Sequence, residues 1–209
     1  MRKLLSIIIL SVLCILLSFS AMASSNTAFR VMTFNILNSE DKETRFDAIK
    51  ATVGDISPDV LGLQECREGF NTLIADIKTT GYASVVDKLV DDPGDNTIIN
   101  CVPILYNTER FTLVEGSAGA RRFVEKYQES WTKSLCYCVL EDLTDSQRYI
   151  VINVHFAVYM ADYGLTAKEV CAQRVSNANE VLAQIETMKE AYGDIPVIVL
   201  GDFNAEETE

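Results

Sequence analysis

The stretch Ile195–Ala205 reads IPVIVLGDFNA and decides the fold prediction. Its β-favouring apolar residues, followed by glycine, predict a fully buried strand. Asp202 and Asn204 leave this strand two positions apart, so we expect them to face the same site. A carboxylate and an amide at the end of a buried strand are unfavourable unless a ligand or a reaction requires them. For this motif alone, a polar turn that closes the strand is the alternative.

The N-terminus has the pattern of a secretory signal peptide over residues 1–23. Arg2 and Lys3 give it a positive start, residues 4–19 are apolar and uncharged, and 21–23 (AMA) fit the cleavage pattern. The apolar run is short for a membrane span, and no later stretch is long enough. We therefore predict a secreted or periplasmic protein without a stable membrane anchor, with one domain over 24–209.

The chain is acidic, with 18 basic and 30 acidic residues and a formal net charge of −12. This charge repels polyanions, so a dedicated duplex-DNA-binding protein is disfavoured. A divalent metal that bridges the protein and a phosphate would offset the repulsion locally. The charge therefore favours a small substrate without excluding a nucleic acid.

Cysteine and histidine usage gives no zinc-site pattern, because no cysteine spacing fits one and His155 is the only histidine. Cys136 and Cys138 lie on one face of a predicted strand, where a mutual disulfide would be strained. We expect most cysteines that follow the signal peptide to be buried free thiols.

Hydrophobic periodicity predicts helices that flank a strand-rich middle. The predicted helices are 42–56, 69–79 and a long helix from a capping box at 166–169 to about 192. The predicted strands are 29–37, 60–63, 83–90, 98–106, 110–114, 130–140, 148–156 and the final apolar run. Residues 116–128 are predicted as a loop or short helix, and 91–96 as a turn. The buried stripe of the long helix is predicted as Val170, Ala178, Val181, Leu182, Ile185 and Met188. This order predicts a layered α/β domain with mixed sheets.

Four apolar strands end in polar residues: Asn35 on the first, Gln64-Glu65 on the second, Asn153 and His155 on a later one, and Asp202 with Asn204 on the last. Each motif alone has a structural explanation, such as a loop cap, a surface acid or a core histidine. Together they supply two carboxylates, an imidazole and amides, which suit the binding of one Mg²⁺ and a phosphate. Arg121, Arg122 and Arg174 are weaker candidates for a second phosphate contact, with solvated or ion-paired side chains as the alternative.

As a set, these motifs resemble the endonuclease/exonuclease/phosphatase superfamily, the metal-dependent fold shared by DNase I-like nucleases, sphingomyelinases and inositol phosphatases. The resemblance rests on five segments that follow one another in the family's order: 33–36 (TFNI), 59–65 (DVLGLQE), 103–106 (PILY), 153–156 (NVHF) and 201–205 (GDFNA). It implies a DNase I-like four-layer α/β/β/α sandwich of two mixed sheets.

The resemblance also implies a role for each site residue. Glu65 would coordinate the metal and Asn35 would help to position it, while Asp202 would orient or activate the attacking water. Asn204 would contact the scissile phosphate, and His155 would stabilise charge on the phosphoryl oxygens. The implied cofactor is Mg²⁺, with Mn²⁺ as a substitute. The implied partner is a phosphate-ester substrate, as a small molecule, a lipid headgroup or a nucleic acid, and we expect a monomer.

The chain departs from the family pattern at its C-terminus. Family members usually finish with a further strand pair and a Ser-Asp-His motif, and neither precedes Glu209 here. We therefore expect the last strands of the sandwich to be missing and the chain to be a fragment of a longer product. Because an open edge and an exposed core face are unfavourable, the isolated chain is expected to be weakly stable and nearly inactive.

The leading hypothesis is a secreted Mg²⁺-dependent phosphoesterase that hydrolyses a phosphodiester or phosphomonoester by metal-assisted water attack, as the full-length parent. A secreted DNase I-type nuclease is the alternative enzyme. A truncated, catalytically inactive domain that binds phosphate ligands is the alternative of another class. The missing terminal histidine favours the inactive domain, whereas the presence of Glu65, Asp202 and Asn204 together favours an enzyme.

Overall fold

The computed structural model describes residues 28–86, 102–124, 133–159 and 164–205. The strands in these ranges are β1 (Val31–Asn35), β2 (Val60–Gln64), β3 (Tyr82–Ser84), β4 (Ile104–Asn107), β5 (Phe111–Leu113), β6 (Gly119–Arg122), β7 (Ser134–Asp142), β8 (Arg148–His155) and β9 (Val197–Asp202). The α-helices are α1 (Phe46–Ile56), α2 (Asn71–Lys78) and α3 (Ala167–Tyr192), and short 3₁₀ helices precede α1 (Lys42–Arg45) and α2 (Glu68–Phe70). The predicted signal peptide and the turn predicted at 91–96 lie outside the described residues.

The strands form two mixed sheets. The first has the order β1-β2-β4-β3, in which β1 and β2 are parallel and the other pairs are antiparallel. The second sheet has the order β5-β7-β8-β9, and β6 also pairs with β7. Among these pairs, β8 and β9 are parallel and the others are antiparallel. Asn35 lies opposite Gln64, and His155 lies opposite Asp202. The polar carboxyl ends of neighbouring parallel strands therefore lie side by side.

The two sheets pack face to face and carry helices on their outer faces. Between the sheets lies an apolar cluster that includes Val60 and Ile104 from the first sheet and Cys136, Cys138 and Val151 from the second. Helices α1 and α2 pack on the outer face of the first sheet, and α3 packs on the outer face of the second. The predicted four-layer α/β/β/α sandwich of two mixed sheets is confirmed.

Strand β9 differs from its prediction as a fully buried strand. Leu200 is its one buried residue, and Val199 is 36% exposed. The reason is position, because β9 lies at the edge of the second sheet and pairs only with β8 among the described strands. The apolar run therefore predicted the strand correctly but not its burial.

The segment predicted as a loop or short helix at 116–128 contains β6 instead, over Gly119–Arg122. β6 pairs antiparallel with the first half of β7, with Gly119 opposite Tyr137 and Arg122 opposite Ser134. The polar Arg121-Arg122 pair argued against a strand. An edge strand tolerates such residues because its backbone bonds do not depend on them. The prediction was wrong for these four residues.

Helix α3 begins at the predicted capping box. Thr166 accepts a hydrogen bond from the backbone of Glu169, whose side chain accepts one from the backbone of Thr166. The predicted buried stripe is wrong at Leu182, which is 59% exposed, whereas the polar Arg174 and Asn177 are buried. Of the helices that the structure describes, none combines the length and the apolar character that crossing a membrane requires.

The described cysteines agree with the prediction of free thiols. Cys66, Cys136 and Cys138 are buried and unbridged, and Cys171 is free and partly buried. Burial raises the pKa of the Cys136 thiol to about 12, so this thiol stays protonated and unreactive. Cys66, Cys136 and Cys138 therefore act as small apolar side chains of the core.

Candidate active site

Polar residues from four strands meet at one edge of the sandwich. Asn35 ends β1, Glu65 follows β2, His155 ends β8, and Asp202 ends β9, with Asn204 two residues beyond it. Because β1 and β2 are parallel and β8 and β9 are parallel, these carboxyl ends lie at the same edge. Hydrogen bonds and short contacts connect all five of these residues. The structure thus brings together the five residues to which the family resemblance assigns a role.

Asn35 links the two carboxylates of the cluster. Its amide nitrogen Nδ2 lies 3.1 Å from Glu65 Oε1 and 2.9 Å from Asp202 Oδ2. Carboxylates only accept hydrogen bonds, so the group that faces both must be the amide NH₂. The oxygen Oδ1 accepts a hydrogen bond from the backbone of Leu37 at 3.0 Å. In this arrangement Asn35 orients Glu65 and Asp202 by donating to them and directs its own oxygen to the backbone.

Glu65 is held by both its backbone and its side chain. Its φ is +59°, a left-handed conformation that residues with a Cβ adopt rarely and that is concentrated at functional sites. Its second carboxylate oxygen, Oε2, accepts a hydrogen bond from the backbone N–H of Asn38 at 2.8 Å. Each carboxylate oxygen of Glu65 therefore has one fixed donor, which sets the orientation of its remaining lone pairs.

Asp202 and Asn204 form a closed turn after β9. The backbone N–H of Asn204 donates to Asp202 Oδ1 at 3.0 Å, and Asn204 has a φ of +49°. The amide nitrogen of Asn204 donates to the carbonyl of Phe156 at 3.0 Å, which ties this turn to the end of β8. The two carboxylate oxygens of Asp202 thus have different environments. Oδ1 caps the turn, and Oδ2 faces Asn35 and His155.

His155 is buried next to Asp202, with 5% of its surface exposed. Its Nε2 lies 3.7 Å from Asp202 Oδ2, which is beyond hydrogen-bonding distance. The ammonium group of Lys133 is closer, at 3.0 Å from Nε2 and 3.4 Å from Nδ1. An ammonium group only donates, so a hydrogen bond from Lys133 requires a ring nitrogen with a lone pair, which the neutral imidazole has.

The electrostatic surroundings of His155 favour this neutral form. Burial and the nearby charge of Lys133 lower the pKa of His155 from its ordinary value to about 4, although the carboxylates of Asp202 and Glu65 partly oppose the shift. At neutral pH the ring can donate or accept a hydrogen bond but carries no charge. His155 can therefore exchange hydrogen bonds within the site but supplies no positive charge to it at neutral pH.

Lys133 is the neighbour of this site that the sequence analysis missed. It immediately precedes β7, in which Ser134 pairs with His155. The register of this antiparallel pair is what brings the lysine to the imidazole. The segment 130–140 carries no motif that marks Lys133, so only the strand pairing could have identified it.

Gln64 and Asn153, which the sequence groups with the strand-end polar residues, lie inside the sandwich instead. They are 1% and 0% exposed, and Gln64 Nε2 donates to Asn153 Oδ1 at 2.7 Å. Asn153 Nδ2 donates to the carbonyls of Leu63, Val102 and Pro103. This pair satisfies buried backbone carbonyls and ties the two sheets together, so its role is structural.

The donors of the site fit Mg²⁺ better than zinc. Over residues 28–86, 102–124, 133–159 and 164–205, no group of three or more His, Cys, Asp and Glu side chains is arranged to hold a metal. Mg²⁺ does not need such a group, because it is usually bound by one or two carboxylates, several waters and substrate phosphates. The hard, oriented oxygens of Glu65 meet this requirement.

The structure is similar to several solved structures, two of which are described as phosphatases. A mannosyl-6-phosphatase of Bacteroides thetaiotaomicron is 21% identical with a TM-score of 0.65, and the match covers 87% of this chain and 67% of that chain. The human Nocturnin catalytic domain is 24% identical with a TM-score of 0.67, over 87% of this chain and 65% of that chain. ANGEL2, a 2′,3′-cyclic phosphatase, is 19% identical with a TM-score of 0.67, over 86% and 54%.

At these identities the similarity shows a shared fold. The chain spans about two thirds or less of the length of each of these structures. No curated protein sequence matches the chain significantly. The model of the Endonuclease/Exonuclease/phosphatase family matches residues 32–209, which include all the strand ends described above. The chain therefore belongs to the Endonuclease/Exonuclease/phosphatase family.

Proposed function

We propose that this chain carries the active site of a Mg²⁺-dependent phosphoesterase, which in the parent protein hydrolyses a phosphodiester or a phosphomonoester. The observation that carries the proposal is the bridge made by Asn35 between Glu65 and Asp202, two carboxylates that come from different sheets. Such a costly polar cluster at strand ends is expected where catalysis requires it. Family membership and the similarity to two structures described as phosphatases support the same reaction class.

The proposed role of each residue follows from its contacts. Glu65 would hold Mg²⁺, and Asn35 would keep the Glu65 carboxylate oriented. When bound, Mg²⁺ supplies positive charge to phosphate oxygens and lowers the pKa of a water molecule. Asp202 has one oxygen fixed by the turn and the other directed into the cluster, so it is placed to accept a proton or a hydrogen bond from an attacking water. Asn204 and His155 flank it and would contact the phosphate.

The substrate class that the charge favours is a small phosphate ester. With a formal net charge of −12, the chain has no general attraction for a polyanion. Two related structures contain oxyanions, a sulfate in Nocturnin and an adenosine-2′,3′-vanadate in ANGEL2. A sugar phosphate or a lipid headgroup is therefore preferred to duplex DNA. A DNase I-type nuclease is the alternative, so the assay must compare the hydrolysis of small esters with the cleavage of DNA. The signal-peptide pattern at 1–23 supports the further proposal that the reaction takes place outside the cytoplasm.

The experiment is a hydrolysis assay of the purified chain against sugar phosphates, sphingomyelin and plasmid DNA, with Mg²⁺ or with EDTA. We expect slow, Mg²⁺-dependent release of product from a small ester and little cleavage of the plasmid. Faster hydrolysis of DNA than of every small ester would favour the nuclease. Saturable phosphate binding without turnover of any substrate would favour the catalytically inactive binding domain and contradict the proposal.

A further inference from the structure

The candidate site contains two carboxylates and a neutral imidazole, and this set lacks positive charge. A phosphate ester carries one or two negative charges, so its approach to Glu65 and Asp202 is opposed unless cations stand nearby. The ammonium of Lys133 lies 3.0 Å from Nε2 of His155, a contact that fits an uncharged imidazole and not an imidazolium. The protein must therefore supply a cation of its own beside the site, in addition to any metal that it binds.

Of the three arginines that the sequence suggested for phosphate contacts, Arg121 and Arg174 are occupied elsewhere. Arg121 forms an ion pair with Glu180 of α3, with 2.6 Å between Nη1 and Oε2. Arg174 is buried, and its Nε donates to the carbonyl of Ala157 at 2.9 Å. Both side chains attach α3 to the second sheet or its loops, and neither is placed at the carboxylate cluster by these contacts.

Lys133 has the position that the two arginines lack. Its ammonium lies within hydrogen-bonding distance of Nε2 of His155. His155 in turn lies directly opposite Asp202 in the sheet. The positive charge of Lys133 also acts on the site electrostatically, as does that of Arg67, because both lower the pKa of His155. Of these cations, Lys133 is therefore the one that these contacts place directly beside His155.

We infer that Lys133 is a substrate-binding residue whose ammonium contacts a non-bridging oxygen of the substrate phosphate next to His155. This inference rests on the proposed function and adds the group that would receive the anion. A lysine ammonium has three donors, so it can hold the imidazole with one and a phosphate oxygen with another. Contacts of this charge-assisted kind are stronger than neutral hydrogen bonds and do not require a fixed fork geometry.

The test uses inorganic phosphate as the probe and the single histidine of the chain as the reporter. The ring signals of His155 are followed by NMR while phosphate is added at a fixed Mg²⁺ concentration. We expect a saturable shift in the wild-type chain, about 10- to 100-fold weaker phosphate binding in Lys133→Ala, and partial recovery in Lys133→Arg. Lys168→Ala changes an exposed lysine at the start of α3 and is the matched control, with unchanged binding expected.

Thermal unfolding of each variant separates loss of binding from loss of structure. If Lys133→Ala keeps the wild-type melting temperature and still binds phosphate as tightly as the wild type, the inference is wrong. It is also wrong if phosphate leaves the His155 signals of the wild type unchanged. The two proposals can fail independently. Phosphate binding that depends on Lys133 without turnover refutes the phosphoesterase only, whereas turnover with an unchanged KM in Lys133→Ala refutes the role of Lys133 only.

Discussion

Asn35 donates a hydrogen bond of 2.9 Å to Asp202, a residue 167 positions later in the chain. The bond joins the end of β1 in one sheet to the end of β9 in the other. Because Asn35 donates to Glu65 as well, one amide group fixes the separation of two carboxylates that would otherwise repel each other. The geometry of the site therefore depends on how the two sheets are stacked.

The first prediction concerns this amide. Asn35→Ala removes the donor shared by Glu65 and Asp202, so we expect Mg²⁺-dependent hydrolysis to fall by about 10- to 100-fold. Asn35→Asp puts a third carboxylate against the other two and should lower activity at least as much, with a lower melting temperature. Rates and thermal unfolding are measured on the same samples. Asn179→Ala, at an exposed position of α3, is the control. Wild-type rates in both Asn35 variants would show that the bridge has no catalytic importance.

The second prediction concerns the protonation of His155. Burial and Lys133 lower its pKa to about 4, so its NMR signals should titrate near that value in a metal-free sample and not near the ordinary value of about 6.5. A lowered folded-state pKa means that the unfolded chain binds the proton more readily. The stability from neutral His155 is then complete above about pH 6.5 and is lost as the pH falls toward 4.

Lys133→Ala provides the internal check on this titration, because removing the adjacent positive charge should raise the pKa of His155. A midpoint at or above 6.5 in the wild-type chain would mean that the imidazole is solvated or paired with a carboxylate, contrary to the structure.

The third prediction concerns a buried ion pair at the end of β7 opposite to the end that pairs with His155. Asp142 is fully buried, and Arg110 Nη2 lies 2.7 Å from its Oδ2. Asp142→Ala would leave a largely buried guanidinium without this partner, so we expect a loss of about 3 kcal/mol in the free energy of unfolding. Glu141→Ala, which breaks the more exposed pair with Arg148, should cost about 1 kcal/mol or less. Urea denaturation measures both, and equal losses in the two variants would contradict the prediction.

The pair between Arg110 and Asp142 also makes the free energy of unfolding depend on pH. Burial alone would raise the pKa of Asp142, but hydrogen bonds from Arg110 and Thr144 outweigh burial and hold the pKa below its usual value. The stability that Asp142 contributes is therefore complete above its unfolded pKa, about 3.9, and is lost as the pH falls through the lower folded value. The stability difference between the wild type and Asp142→Ala should accordingly shrink in strong acid. A stability difference between the two proteins that stays constant over this pH range would contradict the lowered pKa of Asp142.

The fourth prediction compares two glycines. A Cβ at Gly62 would clash with Leu200 Cδ1 and lie 2.8 Å from the Asn153 side chain, because the sheets approach closely there. Gly62→Ala should therefore destabilise the chain by about 1–3 kcal/mol. A Cβ at Gly54, in helix α1, meets no atom within 4 Å, so Gly54→Ala should stabilise by about 0.5–1 kcal/mol. Thermal unfolding distinguishes the two signs, and equal effects would be inconsistent with this packing.

The features that the sequence predicted well are local ones. An apolar run that ends in polar residues marks a strand and its end, and helix periodicity with a capping box marks α3 from its start at Thr166. Once the strand ends were identified, the resemblance of the motifs in their order predicted which of them meet. The convergence of Asn35, Glu65, His155, Asp202 and Asn204 could therefore be anticipated before the structure was known.

The features that the sequence did not reveal depend on neighbours that are distant in the chain. Lys133 reaches His155 only through the β7–β8 register, and no local pattern distinguishes it from a surface lysine. The exposure of Val199 depends on what covers β9, whereas the apolar run reports only the preference for a strand. Arg121 and Arg122 made β6 resemble a loop, because the ion pair between Arg121 and Glu180 forms only after α3 has packed.

The most direct test of the proposed phosphoesterase is the Mg²⁺-dependent rate of ester hydrolysis in Glu65→Gln. This change keeps the size of the side chain and removes the charge that would hold the metal, and Glu190→Gln makes the same change at an exposed position of α3. We predict that Glu65→Gln loses about 100-fold or more of the rate without unfolding, and that Glu190→Gln keeps the wild-type rate. A folded Glu65→Gln variant that hydrolyses the ester at the wild-type rate would contradict the account.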